Sequence, residues 1–299
     1  MMISRYLIAF LVVATAAGCA VLKSDWTDPG RESPLSPLFT ASKPSAGSAI
    51  LDVAFVSIQT DKPAADALDS AESQTQRSPL DEMWRWIDET AVGPEVRNAL
   101  RLNGLRVGRV HTQSEFNRAL EAVRRTPADA ASRLLASAAV GSDVAQASRR
   151  IPFRLGKRHE LPVNNPANGE VATLVSLGGQ TIGRTLSAPQ PLFAVTVQPH
   201  DASGVRVRMQ PEIQYGAMRQ TWVGKDSGLR IDNRRDCWTM EELAFELTTA
   251  VGDTIVAGAV LPPHGLGEQM FTGKTADGEV DHLLVLIRVV ELPDMMAAR

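Results

Sequence analysis

Cysteine is nearly missing from this 299-residue chain, which has only Cys19 and Cys237. If the first carries a lipid, no intramolecular disulfide can form. A basic excess is missing as well: the formal net charge is -3 and the isoelectric point is near 6.0. Nucleic-acid-binding domains usually carry a strong positive balance, so no nucleic-acid partner is expected. Apolar runs long enough to cross a bilayer as a helix, about 20 residues, are absent after the N-terminal segment. The remainder, 44% hydrophobic and 22% charged, is ordinary globular composition. The length suits one or two domains, with enough chain to bury a core that needs neither a disulfide nor a metal.

The N-terminus has the layout of an export signal. Arg5 precedes an uninterrupted apolar and small-residue run over 6–18. That run is short for a membrane-spanning helix, and a Pro- and Ser-rich segment follows, which favours cleavage. Ala16, Ala17 and Gly18 ahead of Cys19 resemble the bacterial lipobox, with Ala16 where Leu is usual. The resemblance implies a signal peptide over 1–18 and lipidation of Cys19, with a diacylglycerol on the thiol and an acyl chain on the freed amine. Each buried methylene contributes about 0.8 kcal/mol, so more than one chain makes a stable anchor. The competing reading is a plain secretory signal with a chance cysteine. Ala20 stands where an Asp would hold a Gram-negative lipoprotein at the inner membrane, which favours the outer one.

Residues 19–48 read as a lipidated flexible tether. Pro29, Pro34, Pro37 and Pro44 alternate with small and polar residues, and no apolar period survives. A small α/β domain is expected over 49–148, beginning with a buried strand over 50–58 and a polar loop over 59–77. Ser78, Pro79 and Asp81 then mark a helix start, with Leu80, Met83, Trp84 and Ile87 on one face. Trp84 should pack in the core, whereas Trp86 falls off the stripe. Pro94 opens a second helix, through Val96, Ala99 and Leu100, that Asn103-Gly104 stops. A strand over 105–110, a helix over 112–125 bearing Phe116, Leu120 and Val123, and an Ala-rich helix over 129–140 complete a βααβα unit.

Within it, Trp-Arg-Trp-Ile-Asp-Glu (84–89) and Val-Arg-Asn-Ala-Leu-Arg-Leu-Asn-Gly-Leu-Arg-Val-Gly (96–108) resemble a group of uncharacterised lipoproteins from planctomycete bacteria. The resemblance implies kinship and no mechanism. Asp88 and Glu89 could be read as paired catalytic acids. Adjacent helical positions diverge by about 100°, however, so a solvated helix end is the reading preferred.

The pattern turns from helical to alternating at residue 149. Arg149, Arg150, Arg154, Lys157 and Arg158, interrupted by Glu160, read as a solvated linker. A β-rich domain is expected over 149–293, followed by a tail over 294–299. Its strands are placed at 171–177, 192–197, 205–213, 242–251, 254–261 and 282–292, with a turn at 201–204. No long helix separates them, so an antiparallel sheet or sandwich is expected. Together the two units make an α+β chain.

In order, Phe-Ala-Val-Thr-Val-Gln-Pro (193–199), Val-Arg-Val-Arg-Met-Gln-Pro-Glu-Ile (205–213), Val-Gly-Asp-Thr-Ile-Val-Ala-Gly-Ala (251–259) and Leu-Leu-Val-Leu-Ile-Arg-Val-Val (283–290) resemble the C-terminal β-domain of secretins, the outer-membrane pores of bacterial secretion systems. The resemblance implies a sheet architecture and carries over no functional residue. Residues 261–267 replace the secretin Val-Pro-x-Leu-Gly-Asp-Ile-Pro segment, and Arg288-Val289 replaces its final Thr-Pro.

No catalytic constellation is legible. Gly273-Lys274-Thr275 lacks the glycine a phosphate loop needs, because Glu268 stands there. Asp226-Ser227-Gly228 reads as a hairpin turn, with no second copy to supply a partner carboxylate. His111, His159, His200, His264 and His282 fall at no metal-ligand spacing. Cys237 reads as a buried small hydrophobe. No cofactor or metal is expected. The leading expectation is a membrane-anchored envelope protein that binds or scaffolds another envelope component from the periplasmic side. A secretin-like pore subunit and an envelope hydrolase with a site assembled from distant residues are the alternatives.

Overall fold

The β-rich run opens the fold as an interior strand of a large sheet, one place in from its edge, and the rest of that sheet comes from distant parts of the chain. The computed structural model describes residues 47–58, 79–123, 149–200, 204–225, 228–274 and 280–293, with Pro79, residues 221–225 and 228–232, and Lys274 through their backbone alone. Outside them lie the signal segment with Cys19, nearly all of the tether, the loop over 59–77, Ser78, the Ala-rich helix, most of the 201–204 turn and the tail.

The order is β1 (Ser48–Ile58), α1 (Pro79–Trp84), β2 (Ile87–Asp88), α2 (Pro94–Leu102), β3 (Leu105–Val110), α3 (Gln113–Val123), β4 (Arg149–Arg154), β5 (Arg158–Pro162), β6 (Glu170–Leu177), β7 (Gln180–Ser187) and β8 (Gln190–Pro199). Then come β9 (Gly204–Lys225), β10 (Gly228–Thr239), β11 (Phe245–Ala250), β12 (Thr254–Ala259), α4 (Gly265–Phe271), β13 (Thr272–Lys274) and β14 (Val280–Glu291). A seven-stranded sheet runs β2-β3-β12-β14-β1-β4, with β13 also on β14. A five-stranded sheet runs β10-β9-β8-β5, with β11 on β9, and β6 and β7 form a separate hairpin. Every pairing is antiparallel. The fold is α+β and dominated by antiparallel sheet.

Alternation explains how the sheets meet. Leu51, Val53, Ile255, Ala257, Val285, Ile287 and Val289 from the larger sheet share one core with Phe193, Val195, Val205, Val207, Met209, Phe245 and Leu247 from the smaller. Each fully buried aliphatic or aromatic side chain contributes about 1.5–3 kcal/mol. The larger sheet is covered on its other face too. A Cβ on Gly258 would lie 3.3 Å from Trp84 Cζ2, and Thr254 Oγ1 donates to Gln113 Oε1 at 3.0 Å, which places α1 and α3 there. This double coverage is why β12 is buried at every position and β14 reads as a continuous apolar run.

Several expectations are corrected. Residue 149 is not a domain boundary: β1 pairs β14 and β4, and β3 pairs β12, so strands from both sides interleave in one sheet. All described residues fall in one compact unit, 43–299. The basic stretch is no linker, because Arg149–Arg154 is the edge strand β4 and Arg158 opens β5. The first helix stops at Trp84, and Arg85 and Trp86 donate back to Glu82 and Met83 in a tight turn. Ile87 is therefore buried from a strand, while Trp86 is half-buried. Gly273 and Lys274 lie in β13, and Glu241–Leu243 is a 3-10 turn preceding β11.

Candidate binding surface

The segments that look most like chemistry in the sequence prove to be ties within the fold. Asp88 caps the 3-10 turn Glu89–Ala91, accepting from Thr90 N at 2.9 Å and from Thr90 Oγ1 at 2.5 Å. Those bonds, the side-chain one first, hold its carboxyl below its ordinary range. Glu89 is no solvated helix end. Its carboxylate takes Arg106 Nε at 3.1 Å and Nη2 at 2.5 Å on one oxygen, and Arg101 Nη2 at 3.0 Å on the other. Arg106 also lies 4.2 Å over the Trp84 ring. Asn103 is buried and works as a strand surrogate, its amide donating to Ser176 O at 2.8 Å and accepting from Ser176 N at 2.7 Å. Gly104 must be glycine, because a Cβ there would meet His264 O at 2.0 Å and its φ is +77°.

Cys237 is exposed, against expectation. It lies on the outer face of the smaller sheet, where its thiol donates to Glu212 Oε2 at 3.3 Å. Local loss of solvation, and then the Glu212 carboxylate, push its pKa up to about 12. Glu212 is itself buried and bound by Arg158, which also donates to Glu160 at 2.6 Å. Burial pushes the Glu160 carboxyl up, but Arg158 and Gln214 together hold it below its ordinary value. A protonated thiol at rest between carboxylates is a poor nucleophile.

The histidines lie on separate elements and do not converge. His159 accepts from Arg154 N at 3.1 Å, His200 Nδ1 lies 3.3 Å from Arg206 Nη2, and His264 Nδ1 lies 3.0 Å from Pro262 O. His282 is buried in β14 and His111 is exposed before α3. Among the described residues no three His, Cys, Asp or Glu side chains stand together as metal ligands would.

What the fold offers a partner is backbone at its sheet edges, and most of those edges are closed. A proline fits a strand only where its missing N–H faces away from the neighbour, so Pro152 puts residues 150, 152 and 154 of β4 in the outward phase. Of these, Pro152 has no donor, Arg154 N is bonded to His159, and Arg154 O accepts from Lys157 N at 3.1 Å. Short β5 ends in Pro162. On β11, Thr248 O accepts from Arg109 at 3.3 Å and Ala250 N donates to Asp253 at 2.9 Å. On β6, Asn103 occupies Ser176.

The outer edges of β7 and β10 carry no such closure among the described residues, and β10 is the longer, at 12 residues. It belongs to a hairpin that outruns its sheet. β8 pairs β9 only as far as Gln214, and β11 only as far as Met209. Beyond Tyr215, β9 has β10 alone, in register from Arg219↔Arg234 to Lys225↔Gly228. At about 3.4 Å per residue that ladder reaches roughly 20 Å. Its base is pinned where Gly216 turns with φ +73° and Arg235 donates to Gly216 O at 2.9 Å and to Ala188 O. Arg219 and Asp236 pair there at 3.2 Å, and Met218 is 65% exposed. An isolated two-stranded ribbon is marginal in water, so its projection from a body whose other edges are mostly closed calls for a contact. Comparison with known proteins adds no further lead: no family model, curated protein or solved structure matches this chain.

Proposed function

We propose that this protein is a lipid-anchored component of a bacterial envelope that acts by binding, with the β9–β10 hairpin as its binding element. The observation that carries the proposal is the hairpin's reach beyond its sheet with the β10 edge open. Main-chain hydrogen bonds along such an edge supply affinity, and the flanking side chains supply selectivity. The run over 6–18 followed by Ala16-Ala17-Gly18-Cys19 supports the anchor. The secretin-like strings contribute β8 and β9 to one sheet and β12 and β14 to the other, and they support no more than the sheet-rich architecture.

The test compares three full chains in native membranes: wild type, Cys19→Ser, and a variant in which residues 218–233 are replaced by Asn-Gly. After cross-linking, each is purified and its companions are identified by mass spectrometry. The serine variant is expected in the soluble fraction. The trimmed variant should stay with the membrane and lose its cross-linked complex. A serine variant that sediments with membranes like wild type refutes the anchor. A trimmed variant that keeps every companion refutes the hairpin's role, and a large homomeric ring would favour a pore subunit instead.

A further inference from the structure

We propose that the basic flank made by β4 and the turn into β5 rests on the anionic lipid headgroups of the membrane that holds Cys19. The inference depends on the lipid anchor and adds which side of the fold meets the bilayer.

The chain concentrates charge of one sign here. Arg149, Arg150, Arg154, Lys157 and Arg158 fall within residues 149–158, which hold no acid, although the formal net charge of the whole is -3. Pairing inside the fold removes part of that excess. Arg150 meets Asp52 at 3.2 Å, Arg158 is taken by Glu160 and Glu212, and Arg149 is engaged within the chain as well. Arg154 and Lys157 are exposed and carry no ion pair among the described residues. The backbone of this flank is unsuited to a strand partner, since Pro152 lacks a donor and Arg154 N is bonded to His159. What it has to offer is charge.

The path of the tether decides what that charge meets. Gly47 stands where the tether enters the fold, its carbonyl accepts from Leu155 N at 2.8 Å, and Ser48 then pairs with Arg154. The two unpaired cations thus sit beside the point where residues 20–46 arrive from the lipid, whereas Glu291, opposite Ile50, lies across β1 from β4. A flexible segment of that length spans roughly 30 Å, which keeps the bilayer within constant reach. Near an anionic surface each Lys or Arg raises the bound population about fivefold, so two give roughly 25-fold. Such a factor is too small to capture a free protein. An anchored one is already held at the surface, and the same factor then fixes which side lies down. β5 and β10 stand at opposite edges of the smaller sheet, so a body resting on this flank presents the β10 edge away from the bilayer.

The experiment uses the full chain, its lipid checked by mass spectrometry, in vesicles of phosphatidylcholine alone or with about 30% phosphatidylglycerol. In a Cys237→Ser background, a donor dye on Gly47→Cys, where a side chain meets open space, reports energy transfer to an acceptor on the headgroups. A second reporter, Leu102→Cys, sits on α2 beside β3, four strands from β4. Phosphatidylglycerol should raise transfer more from position 47 than from position 102, and high salt should reverse the rise. Arg154→Gln with Lys157→Gln should cut the ratio of close to distant populations by roughly 25-fold. Arg85→Gln with Arg118→Gln, which removes as much charge elsewhere, should leave that ratio unchanged. Equal transfer in both vesicles, a rise no larger at 47 than at 102, or equal loss in the two double variants overturns the proposal while the anchor stands. Equal transfer together with a cross-link from Lys157 to an acidic protein in native membranes overturns it in favour of that protein. A purified chain without lipid refutes the anchor, and this proposal with it.

Discussion

At the scale of single residues, polar side chains close backbone edges and tie distant elements together. His159 is the clearest case, because its Nε2 accepts the Arg154 N–H and closes an edge that would otherwise be open. Burial foremost, and then the nearby Arg154 charge, hold its pKa below the ordinary 6.5. The unfolded chain therefore takes up the proton first as pH falls. The stabilisation is fully present above pH 6.5 and is lost on acidification below it, toward the folded-state pKa. The protection factor of the Arg154 amide, its exchange rate corrected for the intrinsic slowing of exchange with falling pH, should drop between pH 7 and pH 5, and an unchanged protection factor would contradict this role. Cys237 makes a second prediction. With its pKa near 12, alkylation at pH 8 should be slower than that of a free cysteine by on the order of 100-fold. Peptide mapping after timed iodoacetamide treatment measures this, and a rate like that of glutathione rules the assignment out. Neither contact was legible beforehand. A bond between residues on different strands leaves no mark on the local pattern, and a lone cysteine carries no local signal of its exposure.

At the scale of elements, legibility followed periodicity. The strand over 105–110 and the three buried positions of the third helix came through as expected, since they alternate or repeat cleanly. β7 is exposed at all but one position, β10 is charged along its length, and α4 spans seven residues with two glycines, so none presented an apolar period to find. The Trp-Arg-Trp-Ile-Asp-Glu string was legible as a unit but not as a tie. Its Glu89 binds α2 through Arg101 and β3 through Arg106, joining the turn after α1 to both. Removing one partner of a mostly covered ion pair strands the others. Glu89→Ala should therefore lower unfolding stability by about 2–3 kcal/mol, read from urea denaturation. A change within error would mean that the cluster is solvated in effect.

At the scale of the whole molecule, the change from helical to alternating pattern at residue 149 looked like a seam, and strand pairing shows it is none. β14 lies between β12 and β1, and β12 lies beside β3, so residues 149–293 alone lack three strands, β1, β2 and β3, of the sheet they complete. Expressed by themselves, they should give poor chemical-shift dispersion and no cooperative melt. A sharp two-state transition from that fragment would restore the two-domain reading. Pairing between ends of a chain is a property of the assembled sheet, and periodicity within a short window does not record it.

The partnership of β1 with β14 also governs when this protein can fold. Ser57 meets Asp281 across a sequence separation of 224 residues, so this interior strand of the larger sheet waits for a partner made long after it. Contacts so distant along the chain make for slow folding. Until β14 has been made, the polypeptide thus has no way to close its main sheet. The architecture delays the native state until two strands made far apart in time have been brought together.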